Sequence, residues 1–189
     1  TKSWWRQVNG TAITGNLKGQ HLPELFSTQT SLAEWLRLNP GSWIMQADPA
    51  FEKQYDSTFK YESGKSKSPL TRTDSFSWKE KSWVIGIKTG NENKAYDWNQ
   101  LKKSRLIADN IGTTPVVLVL ANDNKSFFAF ERPDFENAFF IHNDTLLYKN
   151  HFFSINGKGL DTAYSLKPLP AYQEFWHSWQ TFNAATTKY

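Results

Sequence analysis

Trp83-Val84-Ile85-Gly86-Ile87, the interval Gly90-Asn91-Glu92-Asn93 and Lys94-Ala95-Tyr96 form the stretch whose reading decides the fold. A β-branched apolar run, a turn-forming interval and a second short run predict a β-hairpin. Downstream, the apolar run 116–120 reads as a buried strand, and Asn122-Asp123-Asn124 supplies a turn into Phe127-Phe128-Ala129-Phe130. Further strands are predicted at 138–141, 146–148 and 152–155, each bounded by Asn, Asp or Gly. Strands this close favour antiparallel pairing, because a parallel crossover needs about a dozen residues. The expected fold class is therefore α+β, mainly antiparallel β-sheet with two or three short helices.

Three helices are predicted. Ser31 with Glu34 makes a capping box, Leu32, Trp35 and Leu36 share one face, and Asn39-Pro40-Gly41 stops the turn, after which Trp43-Ile44-Met45 suits a short strand. Asp97 followed by Gln100 predicts a helix that carries Leu101, Leu106 and Ile107 and closes at Asn110-Ile111-Gly112. Tyr172, Phe175, Trp176, Trp179 and Phe182 fall on one stripe at helical spacing and predict a last helix with an apolar face.

The two ends of the chain say nearly the same thing. Trp4-Trp5, Asn9-Gly10, Leu22-Pro23 and the helix before Asn39 are echoed by Phe152-Phe153, Asn156-Gly157, Leu169-Pro170 and the helix before Asn183. The chain reads as an internal repeat, the end of one unit (1–55), a polar connection (56–78) and one whole unit (79–189), packed as one body. A unit without its own front half predicts a protein partner or a separately supplied amino-terminal half, with Trp4 and Trp5 on the surface that meets it.

Composition narrows the chemistry. With no Cys among 189 residues, disulfides, thiolate metal sites and cysteine nucleophiles are closed to this chain. No run approaches the roughly 18–20 apolar residues of a membrane span. The opening Thr1 carries no signal-like pattern, so either the chain is soluble as made or a targeting segment has been removed. The net charge of +4 concentrates between Lys53 and Arg105. Lys60-Tyr61, Lys65, Lys67, Arg72 and Trp78-Lys79 permit a nucleic-acid reading, but their irregular spacing favours a solvated loop and no nucleic-acid partner is expected.

Five segments carry a family resemblance: Ser3-Trp4-Trp5-Arg6-Gln7-Val8-Asn9-Gly10-Thr11-Ala12-Ile13-Thr14-Gly15, then Ser31-Leu32-Ala33-Glu34-Trp35, the decisive hairpin above, Ala108-Asp109-Asn110-Ile111-Gly112-Thr113-Thr114-Pro115-Val116-Val117 and Phe128-Ala129-Phe130-Glu131-Arg132. Together they resemble an uncharacterised prokaryotic family, domain of unknown function number 3179, over nearly the whole chain. Members of that family often carry a Cys-Pro-x-Cys element, which falls here on Ala121 and Asn124, and a preceding His-Glu pair, which falls on Ser104 and Arg105. Both departures remove the residues that redox or metal chemistry would use. The resemblance further implies a bacterial periplasmic or envelope-associated location.

No catalytic residue, metal site or cofactor is assigned. His21, His142, His151 and His177, with Asp144 or Asp161, lack the spacing of a helical zinc site and read as structural. Arg132 and Asp109-Asn110 are candidates to face one another across a ligand-binding cleft, and His142 and Asp144 are further ligand-binding candidates. Trp4, Trp5, Trp43 and Trp98 are possible sugar platforms, burial being the default reading. The preferred expectation is a non-catalytic structural or protein-interaction module. The alternatives are a supporting lobe of a redox or metal-dependent enzyme whose reactive residues lie elsewhere, or a carbohydrate- or small-ligand-binding protein.

Overall fold

A computed structural model describes residues 2–55 and 75–189. Most of the polar connection, with Lys60, Tyr61, Lys65, Lys67 and Arg72, lies outside the described residues. In chain order, β1 (Trp4–Arg6) and β2 (Thr11–Thr14) make a small antiparallel ribbon, followed by α1 (Leu32–Leu38) and a 3-10 helix (Pro49–Gln54). Next come β3 (Trp83–Thr89), β4 (Glu92–Asp97), α2 (Trp98–Ser104), β5 (Leu106–Ile111), β6 (Thr114–Leu120) and β7 (Phe127–Glu131). The chain closes with β8 (Phe140–His142), β9 (Thr145–Tyr148), β10 (His151–Ser154), β11 (Lys167–Leu169), β12 (Ala171–Phe175), α3 (Trp176–Phe182) and β13 (Thr187–Lys188). The fold is α+β and mainly antiparallel; β13 on β4 is the parallel pair among the described residues.

Three sheets stack around β6. The central sheet, in the order β11-β7-β6-β5, is apolar on both faces because β6 runs Val116 to Leu120 without a polar break. Its alternation divides the core: Val116, Leu118 and Leu120 join Ile85, Ile87 and Tyr96 of the sheet β12-β3-β4-β13, while Val117 and Val119 join Leu146 and Tyr148 of the sheet β10-β9-β8. On the outer face of β3 and β4, Trp176 and Trp179 of α3 pack on Val84 and Ala95. Gly86 makes this approach possible, since a Cβ there would stand 2.1 Å from the Trp179 ring. Burying an indole of this size removes about 200 Å² from water, worth several kcal/mol.

Several boundaries differ from the sequence reading. The helix capped by Asp97 stops at Ser104, because Arg105 turns into the left-handed region (φ 65°), and Leu106 to Ile111 continue as a strand. Asp109 and Asn110 thus sit in β5 instead of ending a helix, and Gly112 (φ 55°) serves the β5–β6 turn. Tyr172 and Phe175 belong to β12, paired with β3, so the last helix carries only Trp176, Trp179 and Phe182 of the predicted stripe. Trp43-Ile44-Met45 forms no strand.

The carboxyl ends of α1 and α3 share local geometry. Both helices end on an Asn cap of nearly the same conformation, Asn39 (φ −135°, ψ 70°) and Asn183 (φ −134°, ψ 63°), whose N–H returns to the carbonyl of a Trp four residues back. In both, the indole Nε1 of that Trp donates over 2.8 Å to a hydroxyl seven residues on, Trp35 to Ser42 and Trp179 to Thr186.

Candidate functional site

The positions that the resemblance singles out meet at one corner of the fold, where the end of α2 lies against the β6–β7 turn. Arg105, with a left-handed backbone at the end of α2, donates to Asn124 Oδ1 at 2.6 Å and to Asn122 Oδ1 at 2.9 Å. Asn124 itself takes a positive φ (57°), and Ala121 is buried at the end of β6. Ser104 donates back into α2, to the Gln100 carbonyl.

Asp123, in the same turn, gathers four donors: the N–H groups of Lys125 and Ser126 and the hydroxyls of Ser126 and Ser31. Ser31 spends its own N–H on Ser126 Oγ at 2.8 Å and caps α1 by accepting from Glu34 N–H. The cluster is a clasp that ties the start of α1 to the β6–β7 turn. Burial opposes ionisation of Asp123, yet the bonds from Ser126, Ser31 and Lys125 outweigh it and hold the carboxyl below its usual range. Beside it, Asp144 accepts from Asn122 N–H and lies 4.0 Å from Arg105. Burial pushes the Asp144 carboxyl up, opposed by the Asn122 bond and reinforced by the charge of Glu34. Glu34 is buried and paired with Arg37 at 2.5 Å. No group of three or more His, Cys, Asp or Glu among the described residues is placed to hold a metal ion.

Ser31 and Glu34 were legible in the sequence only as a capping box, and Asp123 only as a turn residue. Their meeting depends on pairing across some 90 positions, which no local pattern signals.

The sequence candidates divide between separate places. Arg132 is buried and donates to Asn110 Oδ1 at 3.0 Å and to the Asp109 backbone carbonyl, not to its carboxylate. The Asp109 carboxylate instead pairs with Lys94 at 2.6 Å and accepts from Tyr96, whose phenol is pushed up by burial first and then by that charge. His142 contacts Asn143, and Asp144 turns to Asn122, so the two do not converge on a common ligand. Of the aromatic platforms, Trp98 packs against the first core cluster and Trp5 is half-buried, whereas Trp4 is 74% and Trp43 99% exposed.

The amino-terminal segment has almost no interior. Among residues 2–55, Ala12 is the one buried apolar residue, while thirteen of the twenty-one exposed large apolar side chains among the described residues lie there. This segment is held to the rest by few bonds, such as Gln29 to Gln173 and Tyr172 to Glu24. A cavity of about 210 Å³ remains beneath it, walled by Phe26, Trp35, Leu38, Phe128 and Phe130. A second opening, of about 440 Å³, lies between His21, Glu24, Lys88 and Tyr172.

A family model described as a protein of unknown function, DUF3179, matches residues 1–186. No curated protein and no solved structure matches the chain significantly.

Proposed function

We propose, from the premise that this chain belongs to the DUF3179 family of proteins of unknown function, that it is a non-catalytic structural and protein-interaction module. In this reading residues 79–189 form a complete unit with its own core, and residues 1–55 form the tail of a preceding unit whose apolar face is covered by a partner. A bacterial, extracytoplasmic setting belongs to the same reading and rests on the resemblance alone.

The observation that carries the proposal is the imbalance of burial. A segment with one buried apolar residue and thirteen exposed large ones does not repay the entropy of its own ordering by burial within this chain. Large apolar surfaces rimmed by polar residues mark interaction sites. Photo-crosslinking in the native source from p-benzoylphenylalanine at position 43 tests the idea. A defined protein adduct is expected, and a chain that stays unlinked and monomeric would remove the proposal.

A specific observation favours a second reading, the supporting lobe of a redox or metal-dependent enzyme whose reactive residues lie outside this chain. Arg105, at the place of the family's Glu, bonds to Asn124, at the place of its second Cys, and this proximity supports a reading in which the corner derives from a His-Glu and dithiol site. Thiol labelling and metal analysis of the native assembly separate the readings: labelled thiols on a co-purifying subunit support this one, and a thiol- and metal-free assembly supports the first.

A further inference from the structure

We infer that residues 31–45 dock on a β-hairpin of the same pattern as β3–β4, presented by a partner. This deepens the interaction reading above and rests on it. The argument is that the chain contains a second copy of the same local structure with its cover in place.

The two copies differ at their helix starts, Ser31 capping α1 where Phe175 makes no side-chain cap for α3, but share their hydrogen bonding from the helix Trp onward. Trp35 and Trp179 each stand at the fourth position of a seven-residue helix. The following Asn returns both its N–H and its side-chain Nδ2 to the Trp carbonyl, at 2.8 and 3.2 Å for Asn39 and at 2.9 and 2.9 Å for Asn183. Ser42 N–H then bonds to Asn39 O, as Thr186 N–H bonds to Asn183 O. Upstream, Gly10 and Gly157, paired in the sequence echo, both take a positive φ.

Around α3 this geometry has a purpose that the contacts make plain. Trp176 and Trp179 lie on β3–β4, with Trp179 0% exposed over Gly86, and the chain beyond the helix adds Thr187-Lys188 to the edge of β4. Around α1 the corresponding groups are bare. Leu32 is 57% exposed where Trp176 is 8%, and Trp35 is 42% exposed where Trp179 is 0%; Trp43 and Met45 are 99% and 95% exposed at the places of Thr187, which is also exposed but paired with β4, and Tyr189, which is 41% exposed. Residues 43–45 have no sheet partner among the described residues.

The indole of Trp35 already has its N–H satisfied by Ser42, so its orientation is set before any partner arrives. What remains is an apolar ring face and an extended segment whose backbone can add to a sheet edge. The chain's own β3–β4 is not the occupant, since α3 covers Gly86 and β13 takes the β4 edge. The matching surface is a second two-stranded hairpin with a glycine where β3 has Gly86, because any Cβ would occupy the space of the indole, and with an edge open to a parallel strand.

The probe is a head-to-tail cyclised peptide of residues 81–99 of this chain, shown by NMR to hold the hairpin, titrated into the 15N-labelled chain. Saturable binding with shifts at the Trp35 indole and residues 42–45 is expected, weakened about tenfold or more by Trp35→Ala in the chain or by Gly86→Leu in the peptide. No saturable binding by a folded peptide, or binding indifferent to Trp35→Ala, would overturn the inference. So would self-association that Trp35→Ala abolishes without peptide binding, because the occupant would then be a second copy. Mass-spectrometric mapping of the adduct from position 43 gives an independent answer. An adduct on a glycine-bearing hairpin supports the inference, an adduct elsewhere sinks it while leaving the interaction reading standing, and no adduct sinks both.

Discussion

Gly86 and Asp123 carry more of the architecture than their size suggests. At Gly86 the backbone needs no unusual φ; what is needed is the missing Cβ, because Trp179 fills that space to within 2.1 Å. Gly86→Ala is therefore expected to destabilise the chain by about 2–3 kcal/mol through overpacking, measured by urea denaturation. Asp123 is held by hydrogen bonds from both sides of the clasp, and its depressed pKa fixes the sign of its pH effect. Its contribution is fully present above the unfolded value near about 3.9 and is lost as pH falls through the lower folded value. Asp144, with a raised pKa, acts in the opposite sense and partly offsets this on acidification. Asp123→Asn should cost about 2 kcal/mol at neutral pH and flatten the acid limb, so that the two proteins converge at low pH; denaturation at pH 7 and pH 3 checks it.

Among the elements, the apolar strand runs between turn residues were readable, whereas β5 and β12 read as helix and the strand expected at Trp43-Ile44-Met45 does not form. The hairpin β3–β4 and the run of β6 declare themselves by apolar runs between turn residues. The stretch from Leu101 to Ile111 misleads, because Leu101, Leu106 and Ile107 fit a helix while Ile107 and Ile111 fit a strand equally well. The left-handed turn at Arg105 decides between them, and it is fixed by bonds to Asn122 and Asn124 across the next hairpin. Likewise Tyr172 and Phe175 continue the helical stripe of Trp176 and Trp179, yet pairing with β3 draws them into β12. Residues 22–30 are tied to β12 chiefly through Tyr172 to Glu24 and Gln29 to Gln173. Tyr172→Phe should therefore speed amide exchange in residues 22–30 by about tenfold, with little change in global stability; exchange mass spectrometry reads both.

Over the whole molecule, burial is unevenly shared. The three stacked sheets of residues 79–189 enclose the core, and residues 2–55 lie outside it, joined by the Ser31–Asp123 clasp and by Leu38. Trp43 and Met45 contribute nothing to that core, so Trp43→Ser with Met45→Ser is expected to change stability by less than about 0.5 kcal/mol. The same double change should reduce binding of an apolar dye and any self-association, measured by fluorescence and light scattering. A drop in stability of several kcal/mol would show instead that this surface is covered within the chain.

The sequence by itself determined the fold class, the core strands β3, β4, β6 and β7 and the absence of cysteine chemistry, because each follows from residue type and short-range period, while the family follows from the order of its motifs along the chain. The echo between Trp35 and Trp179 could also be read there. Only the tertiary structure decided that one of these indoles is buried and the other bare, that Arg132 meets a carbonyl instead of a carboxylate, and that Ser31 and Asp123 join. These depend on which surfaces meet across distant positions, and no local pattern encodes that meeting.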